Sequence, residues 1–196
     1  MFLLEISHLF LSKSFLSYLN LRIIHKTVIL QGSSRSFGDT YKIVNHLVSK
    51  WNYDVIDLNM KVIGQYDYEY KNAGDDFRNV ITEVITNYDT IIFATPVYWY
   101  TMSGIMKAFF DRISDVIRTE KDLGRQLRGK NMAMISTSNS KDLIKGFNMP
   151  FVASANYLGM HYLGDIHTWV EDNQIPNEVE LIINTFDTKL KKTLNN

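Results

Sequence analysis

The 196-residue sequence contains no cysteine. This absence excludes disulfide bonds, thiolate nucleophiles and cysteine-ligated metal clusters. Its five histidines include no His-x-x-x-His pair, and no group of carboxylates has the spacing of a metal cage. We therefore expect no metal site.

The sequence also lacks an excess of either charge. Lysine plus arginine and aspartate plus glutamate each number 21, so the formal net charge is zero. A nucleic-acid-binding domain concentrates basic residues on one face, and we predict no nucleic-acid partner. An acidic excess, which steers an electron carrier towards basic partners, is equally missing. The length and the 45% hydrophobic content are typical of one globular domain.

A long uninterrupted apolar run is absent as well. Residues 1–25 are the most apolar stretch, but a membrane-spanning helix needs about 20 mostly apolar residues. This one is interrupted by Glu5, His8, Lys13 and Arg22. It has neither the basic start nor the small-residue cleavage site of a signal peptide.

We interpret residues 1–25 as an N-terminal extension and residues 26–196 as the domain, in a cytoplasmic protein. Two alternatives remain for the extension. It can lie as a helix on a membrane surface, which we do not favour, or pack on the domain as an additional helix.

From Lys26 onward, short apolar runs alternate with amphipathic segments. The apolar runs predict five strands, at 27–31, 53–58, 90–94, 131–136 and within 160–169. The amphipathic segments predict helices at about 39–50, 75–87, 103–116, 147–157 and 177–192. This alternation predicts an α/β fold, a doubly wound parallel sheet with helices on both faces. Ligands bind such sheets beyond the carboxyl ends of the strands, so the loops after the first, third and fourth strands are the candidate site.

The first of these loops, residues 32–40, is rich in hydroxyls and contains Arg35. A helix N-terminus offers free backbone N–H groups to a phosphate, and hydroxyls and a guanidinium add donors. The loop has neither the Gly-Lys-Ser/Thr of a Walker A motif nor G-x-G-x-x-G, and it suits a terminal phosphate monoester such as that of FMN. A loop that merely caps the helix is the alternative. We expect Asp39 to cap the helix with its carboxylate turned away from the phosphate.

The second loop follows the third strand and contains three consecutive aromatic residues after Pro96. We expect Pro96 to stiffen a turn there. The aromatic rings can wall a flat ligand, and backbone donors from Val97 to Tyr100 can meet the pyrimidine edge of an isoalloxazine ring. Core or subunit contacts are the alternative for these rings. The third loop, Ser136 to Ser140, is small and polar and can line the other end of the ligand.

Two stretches, LQGSSRSFGDT and TPVYWYTMSGIMKAFFDR, resemble the NADPH-dependent FMN reductase family of flavodoxin-like proteins. The likeness runs from about residue 26 to residue 192. It implies a five-stranded sheet of order 2-1-3-4-5, bound FMN, and NADPH or NADH as co-substrate. It also implies a homodimer, for which Phe109 and Phe110 can form the interface or, equally, belong to the core.

The resemblance assigns the cofactor-binding positions. The FMN phosphate would be held by Ser33, Arg35, Ser36, Gly38, Asp39 and Thr40. The isoalloxazine ring would be flanked by Pro96, Val97, Tyr98, Trp99 and Tyr100, and on the side of the fourth strand by Ser136, Thr137 and Ser138. Asn is common in the family where this chain has Asp39. Hydride transfer to flavin N5 requires no acid–base side chain, so we expect no catalytic residue among them.

The function implied is an FMN-dependent NAD(P)H oxidoreductase that passes hydride to a small acceptor such as a quinone, a nitroaromatic compound or a flavin. A flavodoxin-type electron carrier without direct NAD(P)H oxidation is the alternative, although such carriers tend to be acidic. A non-catalytic flavin-binding module, tethered to a membrane through residues 1–25, is a third hypothesis.

Overall fold

The computed structural model describes residues 26–194, so the predicted extension at residues 1–25 lies outside the described residues. The strands are β1 (Thr27–Gln31), β2 (Asp54–Asp57), β3 (Thr90–Tyr98), β4 (Thr101–Met102), β5 (Asn131–Ser138) and β6 (His161–Trp169). The helices are α1 (Asp39–Lys50), α2 (Phe77–Asn87), α3 (Gly104–Thr119), α4 (Lys121–Gly124), α5 (Met149–Leu158) and α6 (Asn177–Leu194). Two short 3-10 turns cover Leu58–Met60 and Arg125–Leu127.

Five of the strands form a parallel sheet in the order β2-β1-β3-β5-β6. The two-residue strand β4 pairs antiparallel with the end of β3 and does not enter that order. Without β4, the order along the chain is 2-1-3-4-5, so the predicted doubly wound flavodoxin-like sheet is confirmed. Its carboxyl edge, where β1, β3 and β5 end side by side, carries the loops that the sequence singled out.

Two apolar clusters cover the two faces of the sheet, because successive strand residues point to opposite sides. In β1, Val28 and Leu30 pack into the cluster built with α2, α3 and α5. Ile29, between them, packs into the cluster built with α1 and α6. Both faces are therefore buried, which explains why the central strands are almost continuously apolar.

Two strands run further than their apolar stretches predict. β3 continues to Tyr98, with Pro96 paired in register with Thr137, and β5 continues to Ser138. The predicted turn at Pro96 and the predicted loop beginning at Ser136 are therefore wrong. Pairing between neighbouring strands outweighs the local turn preference of proline and serine here. The polar ends of both strands consequently stand rigidly at the edge of the sheet.

Phe109 and Phe110 belong to the packing of α3 against the sheet. Phe109 is fully buried, with its ring 5.3 Å from that of Phe77. The ring of Phe110 lies 4.7 Å from Phe93 and 5.2 Å from Phe151. Of the two roles considered for Phe109, subunit interface or core, the core role is therefore correct. Among the helices within residues 26–194, none has the length and apolarity needed to cross a membrane.

Candidate functional site

A cleft of about 250 Å³ opens at the carboxyl edge of β1, β3 and β5. It brings together residues from all three stretches that the sequence singled out. Its walls are formed by Ser33, Arg35, Asp39, Thr40, Pro96, Val97, Tyr98, Thr137, Ser138 and Asn139. The predicted residues Ser36, Gly38, Trp99, Tyr100 and Ser136 do not line it.

Helix α1 begins at this cleft without a side-chain cap. Gly38 is its N-cap residue, in an extended conformation, and no side chain within residues 26–194 accepts a hydrogen bond from the first turn. The expectation that Asp39 caps the helix is wrong, because Asp39 is already the first helical residue. Its Oδ1 instead accepts a hydrogen bond of 2.8 Å from Lys42 Nζ. The first backbone N–H groups of α1 are thus left for another acceptor, at the positive end of the helix dipole.

Two buried hydroxyls and one guanidinium surround this helix start. Ser33 and Thr40 are 3% and 2% exposed. Ser33 Oγ accepts from the backbone N–H of Arg35 at 3.2 Å, which leaves its own proton free to be donated. The Thr40 hydroxyl forms no hydrogen bond within residues 26–194. The Arg35 side chain passes close to Gly38. A Cβ added to Gly38 would lie only 3.3 Å from Arg35 Nε. This set of donors suits a phosphate dianion.

The predicted phosphate ligand Ser36 also has structural contacts. Its hydroxyl accepts from Asn59 Nδ2 at 3.0 Å, and its carbonyl accepts from Gln31 Nε2 at 3.1 Å. These bonds tie the loop to the end of β1 and to the turn after β2. They fix the conformation of the loop that precedes α1.

Gly32 and Ser103 lock the first loop onto helix α3. Gly32 N donates to Ala94 O at 2.8 Å, and a Cβ at position 32 would lie 2.7 Å from Met106 Cε. The glycine is therefore required by the close approach of α3. Ser103 Oγ donates to Gly32 O at 2.5 Å and accepts from Met106 N at 3.0 Å. One hydroxyl thus caps α3 and anchors the loop.

The second predicted loop is a tight hairpin between β3 and β4. Tyr98 stands in the cleft wall, with its hydroxyl 2.7 Å from Ser34 Oγ. Trp99 and Tyr100 form the two-residue tip, with φ of 46° and 65°, as in a type I′ turn. That left-handed backbone costs a residue other than glycine about 1–2 kcal/mol. Their side chains are 91% and 69% exposed, so no burial within the described chain offsets the cost.

The end of β5 is held by His167 of β6, which the sequence analysis did not identify. His167 Nδ1 lies 2.8 Å from Ser136 Oγ, and Nε2 lies 3.3 Å from Ser138 Oγ and 2.9 Å from Ser140 O. Because a carbonyl only accepts, Nε2 carries a proton. One imidazole ring therefore fixes the β5 side of the cleft. Thr137 is held separately, by a contact of 3.0 Å between its hydroxyl and that of Thr168.

Sequence reasoning missed His167 for a clear reason. A single histidine in a half-buried edge strand carries no local signal, and its partners are set by the register between β5 and β6. Asn139, which also lines the cleft, belongs to the predicted third loop and was detectable by position alone. Within residues 26–194, no group of three or more His, Cys, Asp or Glu side chains is arranged to hold a metal ion.

The fold and the sequence can be compared with known proteins. The protein named for an NAD(P)H-dependent FMN-containing oxidoreductase, YwqN of Bacillus subtilis, is 28% identical over 147 residues, which cover 71% of this chain and 79% of that protein. The solved structure of the Trp repressor binding protein from Bacillus subtilis matches with a TM-score of 0.62 and 23% identity, over 84% of this chain and 95% of that chain.

An FMN-dependent NADH-azoreductase from Bacillus anthracis, solved in complex with FMN, matches with a TM-score of 0.58 and 16% identity. The match covers 88% of this chain and 100% of that one. At these identities the two structures establish the shared fold alone. The family model for NADPH-dependent FMN reductases matches residues 25–174, which is most of the sequence. The chain therefore belongs to the NADPH-dependent FMN reductase family.

Proposed function

We propose that the cleft at the carboxyl edge of the sheet is where this NAD(P)H-dependent FMN oxidoreductase holds its flavin, with the phosphate at the start of α1. The uncapped helix N-terminus carries the proposal. Its free N–H groups lie beside the unpartnered Thr40 hydroxyl, the buried Ser33 hydroxyl and the Arg35 guanidinium. An anion satisfies these donors together, whereas a neutral ligand would leave the positive potential uncompensated.

Asp39 is compatible with this arrangement because it is already paired. Lys42 Nζ donates to its carboxylate and also to Asn173 Oδ1, at 2.5 Å. The ammonium compensates the negative charge closest to the proposed phosphate. Repulsion between Asp39 and the phosphate is reduced accordingly.

The isoalloxazine ring would lie between the β3–β4 hairpin and the end of β5. Tyr98 supplies an aromatic wall on one side, and its hydroxyl is fixed by Ser34. Thr137 and Ser138 supply the opposite wall, held in place by Thr168 and His167. These walls belong to strand ends that are paired in the sheet, so they orient a flat ring without having to rearrange.

When bound, FMN supplies the redox chemistry, accepting hydride from NAD(P)H and passing reducing equivalents to a second substrate. The residues of this chain bind and orient the participants. No side chain around the cleft needs to donate or accept a proton for hydride transfer, in keeping with a lining made mainly of hydroxyls, a guanidinium and the ring of Tyr98.

The second substrate in this proposal is a small planar acceptor such as a quinone, a nitroaromatic compound or a free flavin. We also expect a homodimer, as the family resemblance implies, and a cytoplasmic location. Sedimentation of the purified full chain tests the dimer, and fractionation of the source cells tests the location.

The direct test uses the full-length protein loaded with FMN. We expect a flavin absorbance spectrum that bleaches within seconds when NADPH or NADH is added without oxygen, and that returns when 1,4-naphthoquinone is supplied. A bound flavin that neither nucleotide bleaches would support an electron carrier instead. A protein that binds no FMN would contradict the assignment of the cleft.

A further inference from the structure

The tip of the β3–β4 hairpin is the most unusual backbone near the cleft. Trp99 and Tyr100 both have positive φ, yet neither is glycine, asparagine or aspartate. Two-residue hairpin loops of this kind normally use Asn-Gly or Gly-Gly, which adopt the conformation at little cost. A large aromatic pair at these positions reduces stability for no gain visible within the described residues.

The rings at the tip are also almost free of contacts. Trp99 is 91% exposed and Tyr100 is 69% exposed, whereas Tyr98, the preceding residue, is 38% exposed and stands in the cleft. Tyr98 thus belongs to the cleft wall, and the next two rings stand in solvent at the adjoining hairpin tip. Strained residues that persist beside a binding site indicate a functional contact.

The lining of the cleft indicates where that contact lies. Tyr98 lines the cleft, whereas Trp99 and Tyr100, the next two residues, do not. When the flavin is held in the cleft, a second substrate has to reach it from the solvent side. The exposed rings at the hairpin tip stand beside that approach.

We propose that Trp99 and Tyr100 form the outer wall of the acceptor position and select planar aromatic acceptors by stacking on them. The proposal rests on the function proposed above. It reassigns these two residues from flavin binding to acceptor recognition. An aromatic face attracts another flat ring by offset or edge-on stacking, and it offers nothing comparable to a compact ion.

Two acceptors of different shape test this role, 1,4-naphthoquinone and ferricyanide. With 1,4-naphthoquinone, NAD(P)H supplies a hydride, the solvent supplies one proton, and the quinone leaves as its two-electron-reduced quinol. With ferricyanide, two ions each accept one electron and a proton is released. Ferricyanide is a compact octahedral anion that cannot stack, so it reports turnover without using the aromatic wall.

Two substitutions at position 99 separate the ring from the backbone strain. Trp99→Ala removes the ring and keeps a side chain at positive φ, whereas Trp99→Gly removes both. We expect each variant to raise the KM for 1,4-naphthoquinone roughly threefold to tenfold. KM and kcat for ferricyanide and the FMN dissociation constant should stay unchanged. Only Trp99→Gly should raise the Tm of the FMN-free protein, by roughly 2–4 °C.

A binding measurement accompanies the kinetics. Isothermal titration of the oxidised, FMN-loaded protein with 1-naphthoate should give weaker binding in Trp99→Ala than in the native protein. Cyclohexanecarboxylate has the same charge and no aromatic face, so its binding should not depend on position 99. Tyr68, which is 77% exposed and lies far along the chain from the hairpin, provides the control variant Tyr68→Ala. This variant should change none of these quantities.

Three results would overturn the proposal. The first is an unchanged KM for 1,4-naphthoquinone in both variants, and the second is an equal loss with ferricyanide. The third is dissociation of an oligomer by Trp99→Ala, which would make the hairpin tip a subunit interface. Failure of the native protein to bind FMN would instead refute the proposed function, so the two failures are distinguishable.

Discussion

Helices α1 and α3 both begin at the carboxyl edge of the sheet, yet their first turns are built in opposite ways. The start of α3 is closed, because the buried hydroxyl of Ser103 accepts from Met106 N and donates to Gly32 O. The start of α1 is open, because Gly38 has no side chain to offer and none replaces it. Ser103 serves the stability of the protein, whereas the open turn leaves donors for a ligand. The contrast indicates where the fold gives up local stability to bind an anion.

Introducing a cap at the open start of α1 should have the largest effect, which is on FMN affinity. Gly38→Asp places a carboxylate at the N-cap, where it takes up the free N–H groups and adds a negative charge beside the proposed phosphate. Like charges about 4 Å apart at a protein surface repel by about 4 kcal/mol. We expect FMN affinity to fall on the order of 300-fold, about 3.4 kcal/mol. A titration that follows the difference in fluorescence between free and bound flavin measures this affinity.

The matched control is Gly38→Asn, which has the same shape without the charge. Asn also caps helices well, so it should weaken FMN binding less than Asp does. Both variants gain a cap but crowd the Arg35 side chain to the same extent, so they should differ from each other in FMN affinity and not in the urea concentration at which they unfold. Tight FMN binding by Gly38→Asp would mean that the phosphate is not at this helix start.

Removing the cap at the start of α3 should have the next largest effect, which is on the stability of the protein. Ser103→Ala removes the cap of α3 and leaves the buried carbonyl of Gly32 without its donor. A lost N-cap costs about 1 kcal/mol, and a buried unsatisfied group costs about 1–3 kcal/mol. We expect the free energy of unfolding to fall by about 2–3 kcal/mol in urea titrations. Ser114→Ala, the same substitution in the middle of α3, should change it by less than about 0.5 kcal/mol. Equal effects of the two would contradict the role of Ser103.

The contrast between the two helix starts also shows what the sequence could and could not predict. The parallel sheet and its order follow from apolar runs that alternate with amphipathic segments, and the hydroxyl-rich loop at residues 32–40 was identifiable from its composition. The open cap was not predictable, because Asp39 is a better capping residue than Gly38 by intrinsic preference. Only the three-dimensional path of the loop shows which of the two occupies the N-cap.

The hairpin and the histidine escaped prediction for related reasons. The sequence Trp99-Tyr100 has none of the signals of a two-residue turn, so the tip is imposed by the pairing of β3 with β4. The contacts of His167 depend on the alignment of β5 with β6. Local sequence patterns indicate the type of each element, but they do not show how strands pair, least of all strands as far apart in the chain as β5 and β6.

Removing one hydrogen-bond donor at the start of α1 should have a smaller effect on FMN affinity. Thr40→Val keeps the shape of the side chain and deletes the hydroxyl, which has no partner within residues 26–194. We expect FMN affinity to fall about tenfold, as for one hydrogen bond to a charged group. Stability without FMN should stay constant, because no hydrogen bond is lost. Thr185→Val, on the exposed side of α6, is the control and should leave FMN affinity unchanged. A large loss of stability in Thr40→Val would show that the hydroxyl has a structural role.

A third helix start extends the comparison with an effect that depends on pH. The carboxylate of Asp75 accepts from Phe77 N at the start of α2, from Gly64 N and from the buried Arg112. Burial opposes its charged form, but the hydrogen bonds from Arg112 and the two backbone groups outweigh it and hold the pKa of Asp75 below its ordinary value. A carboxyl whose pKa is lower in the folded protein stabilises it fully above its unfolded pKa of about 3.9.

The stability that Asp75 contributes should therefore be lost as the pH falls from about 5 through the pKa in the folded protein. Arg112 also donates a hydrogen bond to Asp115, so it is not left without an acceptor when Asp75 is neutralised. In Asp75→Asn the position can no longer be protonated, so the variant should be less stable at pH 7 and its stability should fall less steeply with acid. Urea titrations of both proteins between pH 7 and pH 3 measure the two slopes. Parallel slopes would show that Asp75 keeps an ordinary pKa, and that its position at the start of α2 reflects backbone geometry and not charge.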